Sequence, residues 1–253
     1  MDKTTTALHL ILESGFRVGL WITFLWLEKF TPVIRHIDED ELWMYRYPSV
    51  DSYFPRRYLY ATMIFVPSVI YSGHYILYRK ARETIPEIIC SVYGLTLGYC
   101  IDALLTAVLK LSVGRPRPNF YFRCFPEGYG TDIDNCEGEY HGQMDGRKSF
   151  PSAHATFIFT CMVYMILHIH NRIDLKKPIF LKGIVITLNS VLLIVALLVA
   201  ASRTADYHHH YSDVLGGAMI GSGVAYVIHT LYATADEALQ ENILKIVRRE
   251  KQE

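Results

Sequence analysis

The chain has 253 residues, of which 51% are hydrophobic and 20% charged, and its formal net charge is zero. Soluble domains carry about 25% charged residues, so this composition points away from an ordinary soluble domain. Nucleic-acid-binding proteins have a basic excess that this chain lacks, and we expect no nucleic acid partner. Five cysteines in a chain of this length do not indicate a disulfide scaffold.

Six segments, taken in chain order, approach the roughly 20 apolar residues that a membrane-spanning helix needs. They lie near residues 8–30, 58–78, 86–111, 152–170, 181–201 and 210–232. The first is the weakest because it contains Glu13 and Arg17, whose i,i+4 spacing lets them pair on one helix face. A helix lying in the membrane interface is the alternative there. We therefore predict an all-α integral membrane protein with six transmembrane helices, forming one domain over residues 1–253 with a tail at 233–253.

Lysine and arginine residues in the connections predict the orientation. They fall between the second and third spans, between the fourth and fifth spans, and in the tail. These residues are Arg79, Lys80, Arg82, Arg172, Lys176, Lys177, Lys182, Lys245, Arg248, Arg249 and Lys251. With six spans these three regions share one side of the membrane, so the positive-inside rule predicts that both termini are cytosolic.

The cysteines divide into two groups. Cys90, Cys100 and Cys161 lie inside apolar runs and are predicted core residues. Cys124 and Cys136 share the polar connection at 114–150, and they could form a disulfide if it faces an oxidising compartment. Two free surface thiols are the alternative. A loop of this length tends to be functional.

Three polar blocks interrupt the apolar sequence and contain the candidate catalytic residues. They are KLSVGRPRP at 110–118, PSAH at 151–154 and SRTADYHHHYSD at 202–213. With six spans, all three lie at the face opposite the cytosol. Phosphoryl transfer needs fixed donors around the equatorial oxygens, and Lys110, Arg117 and Arg203 can provide them. The blocks therefore predict phosphate chemistry at a membrane surface.

The triple histidine in the third block contains the predicted nucleophile. A nucleophilic imidazole must be neutral, with its second nitrogen donating to a carboxylate. His209 is spaced i,i+4 from Asp213, so both lie on one face if the sixth helix begins early. His210 is at i,i+3 from Asp213 and is geometrically competent as well, whereas His208 points away.

The second block opens the predicted fourth span. Free N–H groups and the helix dipole favour an anion there, with the backbone at Ala153 in the cradle and the Ser152 hydroxyl as a further donor. His154 at the helix mouth is placed to protonate a departing alkoxide. No cluster of Asp, His or Cys predicts a metal site, and we expect no cofactor; three cations take the role of a metal.

The three blocks resemble the pattern K-x6-R-P, P-S-G-H and S-R-x5-H-x3-D of the type 2 phosphatidic acid phosphatase (PAP2) superfamily. The x5 count selects His209 over His208 and His210. The words RCFPEG, GRKSFPS and SRTADY are similar to the lipid phosphate phosphatase branch of that superfamily. The resemblance implies a PAP2/haloperoxidase-like helical core.

The resemblance also implies a magnesium-independent phosphatase for phosphatidate, lysophosphatidate or diacylglycerol pyrophosphate, working through a phosphohistidine. The resemblance implies the same roles as the argument above: His209 is the nucleophile and His154 the acid. The implied phosphate ligands are Lys110, Arg117, Ser152 and Arg203. The family has glycine where this chain has Ala153, and a positive φ there would cost alanine roughly 1 kcal/mol or more. A lipid-phosphate binding protein without turnover is therefore one alternative, and a phosphotransferase or a phosphatase for another ester is a second.

Membrane lipids with a phosphate headgroup are the expected partners, and the sequence is compatible with a homo-oligomer. We expect a multi-pass protein of the plasma membrane or of ER/Golgi membranes, with its active site on the non-cytosolic face. Asp102 lies within the third span, where an ionisable group is a functional candidate by default. Pairing within the helix bundle is the alternative for Asp102.

Overall fold

A computed structural model describes residues 3–80, 84–130, 133, 135–171 and 178–233. This part of the chain contains eight α-helices and a short 3₁₀ helix at Glu39–Tyr45. The α-helices are α1 (Lys3–Leu27), α2 (Arg56–Tyr78), α3 (Thr84–Val113), α4 (Phe120–Cys124), α5 (Tyr140–Gly146), α6 (Ala153–His170), α7 (Ile179–Ala205) and α8 (Tyr211–Ala233). Of the cations used to predict the orientation, Arg82, Arg172, Lys176, Lys177, Lys245, Arg248, Arg249 and Lys251 lie outside the described residues, as does the tail from Asp236.

Five of the described helices are long and apolar enough to cross a membrane: α1, α3, α6, α7 and α8. Each coincides with a predicted span, which confirms the prediction of an all-α membrane protein. The remaining predicted span coincides with α2, which has the length but not the hydropathy. Tyrosine, serine and histidine side chains are interspersed along α2 and lower its mean hydropathy. Five of the six predicted spans therefore have both the length and the hydropathy of a membrane-spanning helix.

Helix α6 is the centre of the bundle, because it packs against α2, α3, α7 and α8. Its apolar side chains are buried around most of its circumference, and Ile158, Met162 and Met165 have no exposed surface. A helix that is apolar all round is stable only when other helices surround it. The second polar block therefore begins at the N-terminus of the most enclosed helix.

Two glycines bring α8 into close contact with α6. A Cβ on Gly217 would meet the carbonyl oxygen of Ser152 at 2.6 Å, and one on Gly221 would overlap the carbonyl oxygen of Thr156. Small residues spaced i,i+4 allow two membrane helices to approach closely. This approach places the start of α8 beside the start of α6.

Helix α1 is attached to the bundle by Arg17. The i,i+4 pair predicted from the sequence is present, with 2.5 Å between Arg17 Nη1 and Glu13 Oε2. The same guanidinium donates to the carbonyl of Tyr93 at 2.8 Å and to the hydroxyl of Tyr232 at 3.1 Å. One buried cation therefore joins α1 to α3 and α8.

The segments at 30–55 and 114–150 form an outer cap on one end of the bundle. Their apolar side chains make a second hydrophobic cluster, separate from the bundle core: Ile37, Tyr45, Phe120, Tyr121, Cys124, Phe125 and Ile133. A disulfide bond joins Cys124 to Cys136 inside this outer cap. Hydrogen bonds from Val33 N to Leu111 O at 2.8 Å and from Tyr47 N to Pro118 O at 3.1 Å join its first segment to the first polar block.

The three apolar-run cysteines and Asp102 all lie inside the bundle. Cys90, Cys100 and Cys161 are buried free thiols, as predicted. Asp102 is fully buried, and its Oδ2 accepts a hydrogen bond from the hydroxyl of Thr160 on α6. Asp102 therefore pairs with a neighbouring helix within the bundle, which was the alternative to a functional role.

Candidate active site

The structure brings the three polar blocks together at the end of the bundle that the outer cap covers. Lys110 lies in the last turn of α3, and His154 lies in the first turn of α6. The third block connects α7 to α8. A backbone hydrogen bond from Ser152 N to Asp213 O at 3.0 Å joins the second block to the third. Another, from Ser149 N to Arg115 O at 3.0 Å, joins the residues just before the second block to the first.

His209 lies in the connection between α7 and α8, and it is almost completely buried. Its Nδ1 lies 2.7 Å from the carbonyl oxygen of Ser149. A carbonyl oxygen can only accept a hydrogen bond, so Nδ1 carries the proton and Nε2 retains its lone pair. The geometry therefore leaves Nε2 of His209 with the free lone pair that a nucleophile needs.

Asp213 pairs with His209 at ion-pair distance, while the hydrogen bond of Nδ1 goes to the carbonyl of Ser149. Oδ2 of Asp213 lies 3.8 Å from Nδ1 of His209, too far for a hydrogen bond. Its carboxylate is held by Arg115 Nη1 at 2.5 Å, Ser149 Oγ at 2.6 Å and the His210 N–H at 2.9 Å. The last contact is that of an N3 carboxylate reaching back to the N-cap residue of its own helix, which draws the side chain away from the imidazole.

Burial and charge keep His209 neutral. Burial lowers the pKa of His209 to about 3; the Asp213 carboxylate acts in the opposite direction, and the positive charges of Arg117 and Lys110 add to the lowering. The imidazole is therefore unprotonated on Nε2 throughout the physiological pH range.

The two neighbouring histidines have other partners. Nε2 of His210 lies 3.1 Å from the carbonyl oxygen of Pro116, and the ring meets Tyr45 edge-on. Nδ1 of His208 lies 2.9 Å from the backbone oxygen of Asp206 and 3.0 Å from its carboxylate. These contacts orient the rings of His208 and His210 toward other partners. His209 is the member of the triplet on which the charges of Arg117 and Lys110 act.

Each predicted arginine ligand is held in place by a carboxylate. Arg117 donates from Nε to the backbone oxygen of Asp145 at 3.1 Å and from Nη2 to its carboxylate at 3.0 Å. Arg203 lies 2.8 Å from the Asp206 carboxylate, and its buried Nε has no hydrogen-bond partner among the described residues. Both guanidiniums are thus oriented before an anion binds.

Asp145 is kept ionised by its arginine neighbours. Burial acts to raise its pKa, but the charges of Arg117 and Arg123 outweigh burial and lower the pKa to about 2. Its second oxygen accepts from Arg123 Nη1 at 2.9 Å. The carboxylate therefore remains charged at neutral pH and fixes Arg117.

The second block forms the N-terminus of α6, as predicted. Ser152 is the N-cap, and its hydroxyl accepts from the Ala155 N–H at 3.4 Å. Ala153 is the first helical residue; the positive-φ residue other than glycine in the described chain is Tyr207. The strain considered for alanine at position 153 is therefore absent. The N–H groups of Ala153 and His154, which precede the capped N–H of Ala155, have no partner within the helix and can bind an anion.

His154 is buried at the same helix end, and its Nε2 has no hydrogen-bond partner among the described residues. Its ring interacts with the backbone carbonyl of Phe54 and with the charges of Arg203, His209 and Lys110. A buried, unpaired ring nitrogen normally has a partner in a native structure. Its position beside three other site residues indicates that a ligand supplies that partner.

Four further site residues escaped the sequence reasoning: Arg115, Ser149, Asp145 and Asp206. Arg115 lies inside the first block and Ser149 lies two residues before the second, so position in the chain was an available signal for them. Asp206 is i+3 from Arg203, a spacing typical of an ion pair on one helix face. Asp145 lies in the long connection, and no local pattern identifies it. Among the described residues, no three His, Cys, Asp or Glu side chains form a group that could hold a metal ion.

Comparison with known proteins identifies a common pattern over most of the chain. Residues 90–237, which include all three blocks, match the sequence model of the PAP2 superfamily. Lipid phosphate phosphatase 2 of Arabidopsis thaliana is 32% identical over 231 residues, covering 86% of this chain and 77% of that protein. Lipid phosphate phosphatase 1 of the same plant is 30% identical over 245 residues, covering 89% of this chain and 72% of that protein.

A third relative is the probable diacylglycerol pyrophosphate phosphatase 1 of Schizosaccharomyces pombe. It is 29% identical over 183 residues, which cover 69% of this chain and 63% of that protein. No solved structure matches the chain.

Proposed function

The chain belongs to the PAP2 superfamily, and we propose that it is a lipid phosphate phosphatase that hydrolyses phosphatidate and related lipid phosphate monoesters. Membership rests on a match that covers more than half of the chain. The lipid substrate is inferred from the names of the relatives, two lipid phosphate phosphatases and a probable diacylglycerol pyrophosphate phosphatase. Phosphatidate, lysophosphatidate and diacylglycerol pyrophosphate are the proposed substrates.

The observation that supports this proposal most is the environment of His209. A buried neutral imidazole with its proton fixed on Nδ1 lies in the electrostatic field of Lys110 and Arg117. A phosphate monoester carries nearly two negative charges at neutral pH. The cations would hold such a group against the lone pair of Nε2 and stabilise the charge on its equatorial oxygens.

In the proposed first step, Nε2 of His209 attacks phosphorus and the bond from phosphorus to the ester oxygen breaks. His154 gives its proton to the departing oxygen, so diacylglycerol leaves as a neutral alcohol. The bound dianion favours the imidazolium form of His154 that this step needs. The product on the enzyme is a phosphohistidine.

In the proposed second step, His154 accepts a proton from water as that water attacks phosphorus. The bond to Nε2 breaks, inorganic phosphate leaves, and His154 is again protonated. Lys110, Arg117 and Arg203 supply the positive charge that a metal ion supplies in other phosphatases. The proposed reaction is therefore independent of magnesium.

The alternative of a binding protein without turnover depended on Ala153. Because residue 153 is helical, its methyl group introduces no backbone strain. The N–H of an alanine is the same donor as that of a glycine. This argument against turnover is therefore lost, and hydrolysis remains the proposal that the site supports best.

We place the site on the non-cytosolic face of a plasma membrane, ER or Golgi membrane. The disulfide of the outer cap supports this side, since disulfides persist in oxidising compartments. A site on the non-cytosolic face requires α2 to cross the membrane as the second of six spans. Its exposed face carries Ile64, Phe65, Val69 and Ile76, apolar side chains suited to lipid contact.

Phosphate release from purified protein in EDTA tests the proposal. The panel comprises phosphatidate, lysophosphatidate, diacylglycerol pyrophosphate and a soluble phosphate ester without acyl chains. We expect release from the lipids without added metal and little from the soluble ester. His209→Ala should lower kcat by at least about 1,000-fold.

His210→Ala is the matched control, because it changes the adjacent histidine and should retain most of the wild-type activity. Lipid binding without phosphate release in EDTA would refute the phosphatase proposal. Loss of activity in His210→Ala with activity retained in His209→Ala would refute the choice of nucleophile.

A further inference from the structure

A groove lies between α2 and α3 at the end of the bundle away from the candidate active site. Helix α2 leaves the active-site end at Arg56 and α3 returns to it at Lys110, so Tyr78 and Thr84 mark the opposite end. The groove has a volume of about 530 Å³, which falls within the range of roughly 300 to 1,000 Å³ typical of small-molecule sites. The proposed reaction makes no use of it.

The walls of this α2–α3 groove are mainly apolar. Tyr71, Ser72, Tyr75 and Ile76 come from α2, and α3 contributes three isoleucines at positions 85, 88 and 89. The side chains of Tyr75 and Ile76 are exposed, and both helices belong to the proposed spans, so the groove opens toward lipid. An acyl chain is the ligand that such walls fit, because it buries apolar surface along its whole length.

A chain of buried polar side chains stands behind the groove and fixes the spacing of its walls. The Tyr71 hydroxyl lies 2.9 Å from Ser91 Oγ, which lies 3.1 Å from Nδ1 of His168 on α6. Nε2 of His168 lies 3.1 Å from Nδ1 of His74 on α2, and Nε2 of His74 lies 3.7 Å from the Glu87 carboxylate on α3. Buried polar groups need such partners, so a shift of α2 against α3 that closed the groove would break these contacts.

Two exposed cations follow the groove at the end of α2. Arg79 is the C-cap residue and keeps αR backbone angles, so it lies one turn beyond Tyr75 and Ile76 on the same face of the helix. Lys80 is four residues beyond Ile76. Both cationic side chains are exposed, and neither has a hydrogen bond or an ion pair with a described residue.

The nearby acids leave this end of the groove positive. The connection from α2 to α3 contains the two cations above and Arg82 against one acid, Glu83, which is three positive charges minus one negative charge. Glu87 is the acid in the first turn of α3, and its carboxylate is directed to His74. The groove therefore combines apolar walls with a cationic end, which is the complement of an anionic lipid.

We propose that the α2–α3 groove binds an anionic diacyl phospholipid, with one acyl chain between the two helices and the phosphate at Arg79 and Lys80. The proposed orientation places this end of the bundle at the cytosolic leaflet, which is rich in anionic lipids, and basic pockets between membrane helices bind their headgroups there. The bound phosphate lies at the opposite end of the bundle from His209, so this lipid is held without being hydrolysed. The site goes beyond the proposed function and uses none of its residues.

Native mass spectrometry of the detergent-purified protein tests the headgroup contact. Phosphatidylserine is the probe, since it is anionic without being a phosphate monoester, and phosphatidylcholine is the zwitterionic comparison. We expect tighter binding of phosphatidylserine. Arg79→Ala/Lys80→Ala should weaken that binding about thirtyfold, about fivefold for each cation removed, and should leave phosphatidylcholine binding unchanged.

Arg57→Ala is the matched control at the other end of α2, where the guanidinium lies over the ring of Tyr58, 4.9 Å from its centroid. It should keep wild-type binding of both lipids. Equal binding of the two lipids by the wild-type protein, or unchanged phosphatidylserine binding in Arg79→Ala/Lys80→Ala, would overturn the inference.

Photo-crosslinking locates the acyl chain. In phosphatidylcholine nanodiscs, phosphatidylserine with a diazirine on one acyl chain should label mainly residues 71–76 and 85–89. Ile89→Trp fills the groove and should remove most of this label, whereas Leu105→Trp, at an exposed position of the same helix, should not. Circular dichroism checks that each variant keeps the helix content of the wild type.

Label spread evenly over the exposed faces of α1 and α7 would overturn the inference, because it would show contact with bulk lipid only. Neither measurement depends on phosphate release. A protein that binds phosphatidylserine in the groove but releases no phosphate would refute the proposed function alone, so the two failures are distinguishable.

Discussion

At the scale of single residues, Ser149 connects the proposed nucleophile, His209, to the carboxylate of Asp213. Its carbonyl accepts the proton of His209 Nδ1, while its hydroxyl donates to Asp213 Oδ2. Asp213 therefore orients the imidazole through Ser149, in addition to its own 3.8 Å ion-pair approach to Nδ1. Arg115 holds the other oxygen of Asp213 at 2.5 Å, which makes Arg115 a positioning residue with no proposed contact to phosphate.

Replacement of Arg115 by alanine tests this role. We expect kcat for phosphatidate to fall roughly tenfold to a hundredfold with KM changed less than about twofold, because only the alignment of His209 is lost. Arg115→Lys should recover part of kcat. Arg46→Ala, in an outer-cap arginine that lies over the Tyr121 ring at 4.5 Å, is the control and should keep wild-type values. A higher KM with unchanged kcat would show instead that Arg115 binds substrate.

Sequence spacing could identify His209 and Asp213 because both belong to one short block. It could not identify their actual connection, since Ser149 is 64 positions from Asp213 and Arg115 is 98 positions from it. The missing direct hydrogen bond has a local reason as well. The carboxylate of Asp213 caps its own helix, which keeps its Oδ2 at 3.8 Å from Nδ1 of His209.

At the scale of helices, the contact between α6 and α8 sets the distance between the second and third blocks. Gly221 lies where a Cβ would overlap the Thr156 carbonyl and meet Thr160 Oγ1 at 2.9 Å. At one end of the same interface, a backbone hydrogen bond joins Ser152 to Asp213. Any separation of these helices therefore moves His154 relative to His209.

Gly221→Ala should force this separation. We expect the free energy of unfolding to fall by about 1 to 3 kcal/mol, as for other overpacked cores, and phosphatidate hydrolysis to fall with it. Thermal unfolding in detergent, together with phosphate release at a temperature where both proteins are folded, measures the two effects. Gly223→Ala is the matched control on the same helix, since nothing lies within 4 Å of a Cβ there. Equal behaviour of the two variants would contradict the role of close packing.

The helices themselves were largely predictable, because apolar runs of membrane length are a local property of the sequence. Helix α2 shows where this signal weakens: its buried positions, such as Leu59, Met63 and Tyr71, recur along one face, and polar side chains elsewhere reduce its hydropathy. The outer cap was not predictable as a packed unit. Its hydrophobic cluster joins residues near position 40 to residues near position 120. No periodic pattern in the sequence predicts a contact between such distant segments.

At the scale of the whole molecule, the bundle brings residues from three separate chain segments to one end, and the outer cap covers that end. The bundle and the α7–α8 connection carry His154, His209, Lys110 and Arg203, and the outer cap contributes Arg117, Asp145 and Ser149. The described fold therefore concentrates positive charge around one neutral histidine. The central claim is that this histidine, His209, becomes covalently phosphorylated during turnover.

Rapid-quench labelling measures this most directly. Wild-type protein in EDTA is mixed with phosphatidate that carries radiolabelled phosphate, quenched in alkali after milliseconds, digested and sequenced by mass spectrometry. We predict a label on His209 that is stable to alkali and labile to acid, and its absence in His209→Ala. A label on another residue, or phosphate release at the full rate with no label on His209, would contradict the account.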